Sequence, residues 1–350
     1  MLSRIPSLPA ALAGAFAFLL AALGATSSAR AQDTSLRYGG QIPPEVDAIY
    51  EHGLAWLVAN QAQDGSWPGN NQGPGVTGIC LMAFLASGED PNYGKYAPVI
   101  RRAIRSIIEQ QDEKTGYLPN SMYHHGFGML ALSEAYGTVD ESLLWEGAKP
   151  VRSIARTLDL AIRCAATAQK KNQFGGWRYS PDATDADTSV TGAVLMGLMA
   201  ARNAGMDVSD ETINTAMEYM RRSTGKDGSV AYSGGFGGMG GSMNLTAVSS
   251  LVGAVSKTKD TEQYKAALKR LVENLESPPD GNYAEYFRYY MAQALFQGDY
   301  SAWQKWNAAQ VRELHDLQHD DGSFNGGAYG TGMSLLALAL NYRFLPIYER

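Results

Sequence analysis

Two kinds of apolar pattern alternate along the chain. Segments such as VIRRAIRSIIEQQ, residues 99 to 111, put Ile100, Ala103, Ile104, Ile107 and Ile108 on one face and the arginines on the other, the spacing of an amphipathic helix. Segments such as TGICLMAFLASG from Thr77 and TGAVLMGLMAARNAG from Thr191 are apolar nearly all round, as a helix buried between layers requires. A glycine-containing turn joins the first kind to the second: QDGSW (63 to 67), KTGYL (114 to 118), FGGWRY (174 to 179), KDGSVAY (226 to 232), PDGNY (279 to 283) and DDGSF (320 to 324). Only the fourth lacks an aromatic residue directly after its turn.

The second helices align at Thr77, His125, Thr191, Thr246, Tyr286 and Thr331, anchors 48, 66, 55, 40 and 45 residues apart. Such periods suit helix pairs rather than strands. The predicted fold class is therefore all-α: six pairs of an outer amphipathic and an inner buried helix, a count that suits closure into an (α/α)6 toroid, with an open right-handed solenoid as the alternative. Closure removes the exposed ends that an open solenoid has to cap, and a repeat lets some 300 residues share one long core.

Residues 1 to 31 read as an export signal, with Arg4 at the start, an apolar run from Ala10 to Leu23 and a small-x-small site at Ala29-Arg30-Ala31. The expected organisation is a signal peptide at 1 to 31, an N-terminal extension at 32 to 48 and the toroid at 49 to 350, in a periplasmic or extracellular protein. No later apolar stretch is long enough to span a membrane. The net charge of −6, more negative still without Arg4 and Arg30, argues against nucleic acid as a partner. Cys80 and Cys164 lie inside apolar helical patterns, where buried free thiols are expected.

The stretch GLAWLVANQAQDGSW, residues 53 to 67, resembles the QW repeat of the squalene-hopene cyclase and protein prenyltransferase superfamily, with Gln61, Gly65 and Trp67 at the repeat's spacing. Gln318, Gly322 and Phe324 repeat it with Phe for Trp, and Gln169 and Trp177 repeat it with two extra residues. The resemblance implies the toroid, with Gln and Trp tying the ends of neighbouring helices together.

It also bears on chemistry. Asp185-Ala186-Asp187-Thr188 is similar to the DxDD motif of the cyclases, in which the middle Asp delivers a proton to an alkene. That resemblance makes Asp187 the candidate proton donor and Asp185 its partner, with Thr188 standing where the family has a third Asp. The residues themselves allow a second reading, in which Asp187 or Ser189 caps the inner helix. The zinc triad of the prenyltransferases has no counterpart, since Tyr329-Gly330-Thr331-Gly332 occupies the place of its His and Cys80 lies in another repeat. No metal and no cofactor are expected.

Superposing the repeats gathers Thr77, Tyr123, His124, His125, Asp185, Asp187, Asn244, Glu285, Tyr286 and Thr331 at one mouth of the ring. Within that set Asp187, Asp185 and His125 are the catalytic candidates. Tyr123, His124, Glu285 and Tyr286, together with Trp177, are the candidate ligand-binding residues for a small molecule or glycan in the central cavity. Because His124 and His125 are adjacent on one helix start, they point in different directions and at least one is expected to be structural. The glycine-rich SGGFGGMGGSMN, residues 233 to 244, is read either as a lid over this mouth or as a long turn. Three function classes stay open: a cyclase-like enzyme, a polysaccharide lyase or glycan-binding toroid, and a non-catalytic envelope scaffold.

Overall fold

The computed structural model describes residues 42–69, 71–233, 241–277 and 283–345. The expected signal peptide, the first ten residues of the expected extension, and positions 234–240 of the glycine-rich segment lie outside the described residues. Among the described residues there are thirteen α-helices and no strand beyond isolated bridges. Twelve helices form six pairs: α1 (Pro44–Asn60) with α2 (Pro74–Leu85), α3 (Ala97–Gln110) with α4 (Met122–Ala135), and α6 (Ile154–Gln169) with α7 (Thr188–Asn203). The series continues with α8 (Asp210–Ser223) and α9 (Met243–Val255), α10 (Glu262–Val272) and α11 (Ala284–Gly298), and α12 (Tyr300–Leu317) and α13 (Gly327–Leu338). The short α5 (Glu141–Leu144) sits in the connection that makes the second anchor spacing the longest. Helix α1 starts at Pro44, so the last residues of the expected extension are helical.

Each second helix packs on the next around a complete circle, α2 to α4, α7, α9, α11, α13 and back to α2. The structure is therefore the closed (α/α)6 toroid that the repeats predict. Every residue of α2 is buried, as a helix flanked on all sides demands, whereas α3 buries its isoleucine face and leaves its arginines partly exposed. Cys80 and Cys164 are buried free thiols.

The ties between repeats explain why the glutamines recur. Gln61 Nε2 donates to Gly65 O in its own turn and to Val99 O of the following outer helix, both at 3.0 Å. Gln111 does the same to Gly116 O (3.0 Å) and Thr157 O (2.9 Å), and Gln169 to Gly175 O (2.7 Å) and Thr212 O (2.9 Å). Gln318 closes the circle by donating to Gly322 O (3.0 Å) and to Ile49 O of α1 (2.9 Å). The two tryptophans fasten each turn to its own outer helix, Trp67 Nε1 to Leu57 O and Trp177 Nε1 to Ala165 O, both at 2.8 Å.

Helices three places apart in a ring of six face each other across the axis. Side chains of α4 and α11 meet there: the ring centroid of Tyr123 lies 6.2 Å from that of Tyr286, and Phe127 lies 5.8 Å from Tyr289. Tyr290 packs on both Tyr286 (4.7 Å) and Tyr289 (4.9 Å), completing an aromatic plug across the middle of the ring.

Turn glycines let the next outer helix approach closely. At Gly322, φ is +90° and a Cβ would lie 2.3 Å from His52 O, so alanine is both strained and obstructed. Gly137 has a similar φ of +81° with nothing near a Cβ. Gly322→Ala should cost about 2 kcal/mol or more in urea unfolding, and Gly137→Ala about 1 kcal/mol. Equal losses would mean that helix approach at the ring closure imposes no additional constraint.

Candidate functional site

The inner helices run parallel, so all six of their N-termini open on the mouth that also carries the described turns. That mouth holds a cavity of about 680 Å³, and every inner helix contributes to its wall from its first turn or its cap. Helix α2 supplies Gly75, Val76 and Ile79; α4 supplies Ser121, Tyr123 and His124; and α7 supplies Ser189. Across from them stand Ser242, Asn244 and Leu245 of α9, Tyr283 and Tyr286 of α11, and Tyr329 of α13. Asn71, Tyr179 and Tyr232 come from the connecting loops. Six tyrosines line the cavity, and among the described lining residues none carries a formal charge.

Tyr123, His124 and Tyr286 are thus brought together as expected. Both buried phenols are held well above the usual tyrosine range, first by burial and then by neighbouring tyrosines. Their hydroxyls are buried and make no hydrogen bond of ordinary geometry among the described residues. His124 Nδ1 accepts the Gly75 N–H at 3.2 Å, so in the neutral ring the proton sits on Nε2. Burial lowers the pKa of this imidazole.

The other candidates lie elsewhere. His125 is fully buried outside the cavity, with Nδ1 accepting the Leu118 N–H (3.1 Å) and Nε2 donating to Ala161 O (3.0 Å). Thr191 Oγ1 accepts the Trp177 N–H and Thr331 Oγ1 the Phe324 N–H at the same place in their repeats, each at 3.0 Å. His125 therefore ties turn to inner helix where other repeats use threonine. Trp177 turns into its own helix pair, and Glu285, half-buried at the start of α11, is one residue away from the inward-facing Tyr286. Thr77 and Thr331, both fully buried, also lie outside the cavity wall.

Asp187 is the N-cap of α7, its Oδ1 accepting the Val190 N–H (2.9 Å) and the Ser189 hydroxyl (2.7 Å). It is fully buried beneath the cavity wall, and its Oδ2 has no partner among the described residues. Burial raises its pKa, opposed by those two hydrogen bonds and by the charge of Arg178. Asp185 is half exposed and paired with Arg178 at 2.6 Å. Ser189, Tyr179, Tyr232, Tyr283 and Tyr329 line the site without having been singled out as ligand-binding residues from the sequence. Tyr179 and Tyr232, whose hydroxyls are 3.1 Å apart, project from loops that have no helical periodicity to reveal their direction. Among the described residues no cluster of three or more His, Cys, Asp or Glu side chains could hold a metal ion, and no helix is long and apolar enough to cross a membrane.

Fold and site together define an α/α toroid with a neutral, tyrosine-lined central cavity. Neither a family model nor a curated protein matches the sequence. Solved structures do. An inactive variant of the α-1,6-mannanase GH76A of Salegentibacter sp. HEL1_6, in complex with α-1,6-mannotriose, superposes with a TM-score of 0.61 at 9% identity, covering 85% of this chain and 99% of that one. A variant of the type II terpene cyclase MstE from Scytonema, in complex with its substrate geranylgeranyl dihydroxybenzoate, superposes with a TM-score of 0.60 at 13% identity, covering 86% and 99%. At these identities the likeness is one of fold.

Substitutions at two positions probe these assignments. Burial pushes the His125 pKa from 6.5 down to about 4. Below pH 6.5 the unfolded chain takes up a proton that the folded chain refuses until about pH 4, so this contribution to stability is complete above pH 6.5 and declines as the pH falls. Urea unfolding should show His125→Thr losing about 2 kcal/mol less than the wild type between pH 7.5 and pH 5. Parallel pH curves would remove His125 from the account. At the helix cap, Asp187→Asn should stay within about 1 kcal/mol of wild type and Asp187→Ala should lose about 1 to 2 kcal/mol. Equal stability of the Ala variant would contradict the capping role.

Proposed function

We propose that this chain is a ligand-binding toroid whose central mouth takes a neutral, mainly apolar small molecule of the isoprenoid class. The observation that carries the reading is the cavity wall. Val76, Ile79 and Leu245 together with six tyrosines form a surface for hydrocarbon, and serines and asparagines supply a few uncharged polar groups. The volume of about 680 Å³ falls within the range of ordinary ligand pockets. Export, expected from residues 1 to 31, would place this binding in the periplasm or outside the cell.

A glycan reading takes support from the mannanase neighbour but finds less in the site. Cleaving a glycosidic bond ordinarily needs two carboxyl groups flanking it. The mannanase variants described as inactive are replaced at two adjacent aspartates. Here the described wall offers no carboxylate, and the site's acid is turned into a helix cap.

A second reading rests on Asp187. Its raised pKa and unpartnered Oδ2 suit an acid that gives a proton to an alkene, as the DxDD resemblance implies. Reaching a ligand would require the route through Ser189, which touches both the cavity and Asp187. The binding reading needs no such rearrangement.

Geranylgeraniol and α-1,6-mannotriose, offered separately to the purified chain and followed by native mass spectrometry, discriminate these possibilities. Binding of geranylgeraniol alone is expected, recovered unchanged, and weakened at least about tenfold by Ile79→Trp, which fills the cavity. Binding of mannotriose alone would overturn the proposal in favour of a glycan site. Recovery of a cyclised isomer, lost in Asp187→Asn, would replace binding with catalysis.

A further inference from the structure

Several polar groups at the mouth share one character that the apolar wall does not explain. Tyr286 is more than nine-tenths buried, and its hydroxyl, in a side chain that lines the cavity, has no partner among the described residues. The Tyr123 hydroxyl on the facing helix is likewise buried; Tyr329 stands beside it and Tyr290 beside the Tyr286 hydroxyl, but neither pair makes a hydrogen bond of ordinary geometry. Leaving such groups without a hydrogen bond costs roughly 1 to 3 kcal/mol apiece, a cost a ligand atom can relieve. Beside them, Gly75 holds His124 Nδ1 as an acceptor, which leaves Nε2–H as the only hydrogen-bonding group the neutral ring has left to offer.

Two of the three serines at the rim follow the same rule; the third, Ser189, donates its hydrogen to Asp187 Oδ1. Ser121 Oγ accepts the His124 N–H and Ser242 Oγ accepts the Leu245 N–H, so each hydroxyl spends acceptor capacity on its helix and keeps its hydrogen to donate. The mouth is also where the six inner helices present their N-termini, the positive ends of their dipoles. Only α7 has an acidic cap, and that carboxylate is closed off from the cavity. Donors and positive dipole ends thus meet a space whose described wall holds no anion.

We infer that the mouth recognises an uncharged oxygen acceptor, a carbonyl group carried by the isoprenoid ligand, through the hydroxyls of Tyr286 and Tyr123 and the Nε2–H of His124. This rests on the binding reading proposed above and narrows it to the ligand's head group. The phenols stay protonated far above neutral pH because burial raises their pKa, so they remain donors. A carbonyl oxygen has two lone pairs and can take a hydrogen bond from each side of the ring axis, matching phenols on the facing helices α4 and α11. A carboxylate would enter without a cationic side chain in the described wall to receive it.

The test compares farnesylacetone, an isoprenoid methyl ketone, with the hydrocarbon of the same skeleton lacking the oxygen. Dissociation constants would be measured by quenching of intrinsic fluorescence for the wild type, Tyr286→Phe and Tyr123→Phe. Each Phe variant keeps its ring in the aromatic plug, and thermal unfolding checks that it folds. The ketone should bind the wild type about tenfold more tightly than the hydrocarbon, the worth of a net hydrogen bond, and either Phe variant should shrink that preference to about threefold or less. Equal wild-type binding of ketone and hydrocarbon overturns the carbonyl inference and leaves isoprenoid binding standing. An unchanged preference in both folded variants overturns the role of the tyrosines. Binding of neither compound overturns the isoprenoid reading and this inference with it.

Discussion

A side-chain amide that holds two backbone carbonyls at once is the interaction on which the ring depends. In Gln61, Gln111, Gln169 and Gln318 one Nε2 group fastens its own turn and the start of the next outer helix. The geometry is two-pronged, so it fixes the offset between consecutive pairs as well as their contact. Repeated offsets of one sense bring the last pair back to the first, and Gln318 reaches Ile49 across 269 positions of sequence. The turn glycines complete the device, because a side chain at Gly322 would collide with the helix that the glutamine draws in.

The site is a consequence of that closure. A closed ring of parallel inner helices directs six N-termini to one mouth, and the aromatic side chains of α4 and α11 fill the axis beneath it. What remains is a cavity at the helix starts, lined by whichever residues occupy the first turns. Here the first-turn residues that face it are neutral. A buried carboxylate beneath its wall, Asp187, satisfies the start of α7 with its Oδ1, which ties the acidic motif to folding before any chemistry is asked of it.

Most of the fold was legible because its devices are repeated and local. The Asp-Gly turns, the glutamine before them and the change from amphipathic to wholly apolar helices each recur, so six pairs can be counted without knowing a contact. The site was legible one helix turn at a time. Tyr123, His124 and Tyr286 follow from superposing helix starts, and His125 could have been set aside by the same superposition, since it aligns with Thr191 and Thr331. Glu285 was misplaced because neighbouring positions on a helix differ by about 100° in direction. Trp177 was misplaced because its indole N–H is satisfied by Ala165 O within its own pair. Tyr179 and Tyr232 had no periodic signal at all, and the inward turn of Asp187 depends on cap geometry that the motif does not specify.

In the binding proposed above, the uncharged residues that the inner helices turn toward the cavity, rather than the aspartates, meet the ligand. A crystal structure of the chain soaked with farnesylacetone tests it most directly. Density is expected between Tyr123 and Tyr286, with the ketone oxygen within hydrogen-bonding distance of their hydroxyls and Asp187 still bonded to the Val190 N–H. A ligand seated against Asp187 Oδ2, with the cap broken and the tyrosine hydroxyls unengaged, would contradict it.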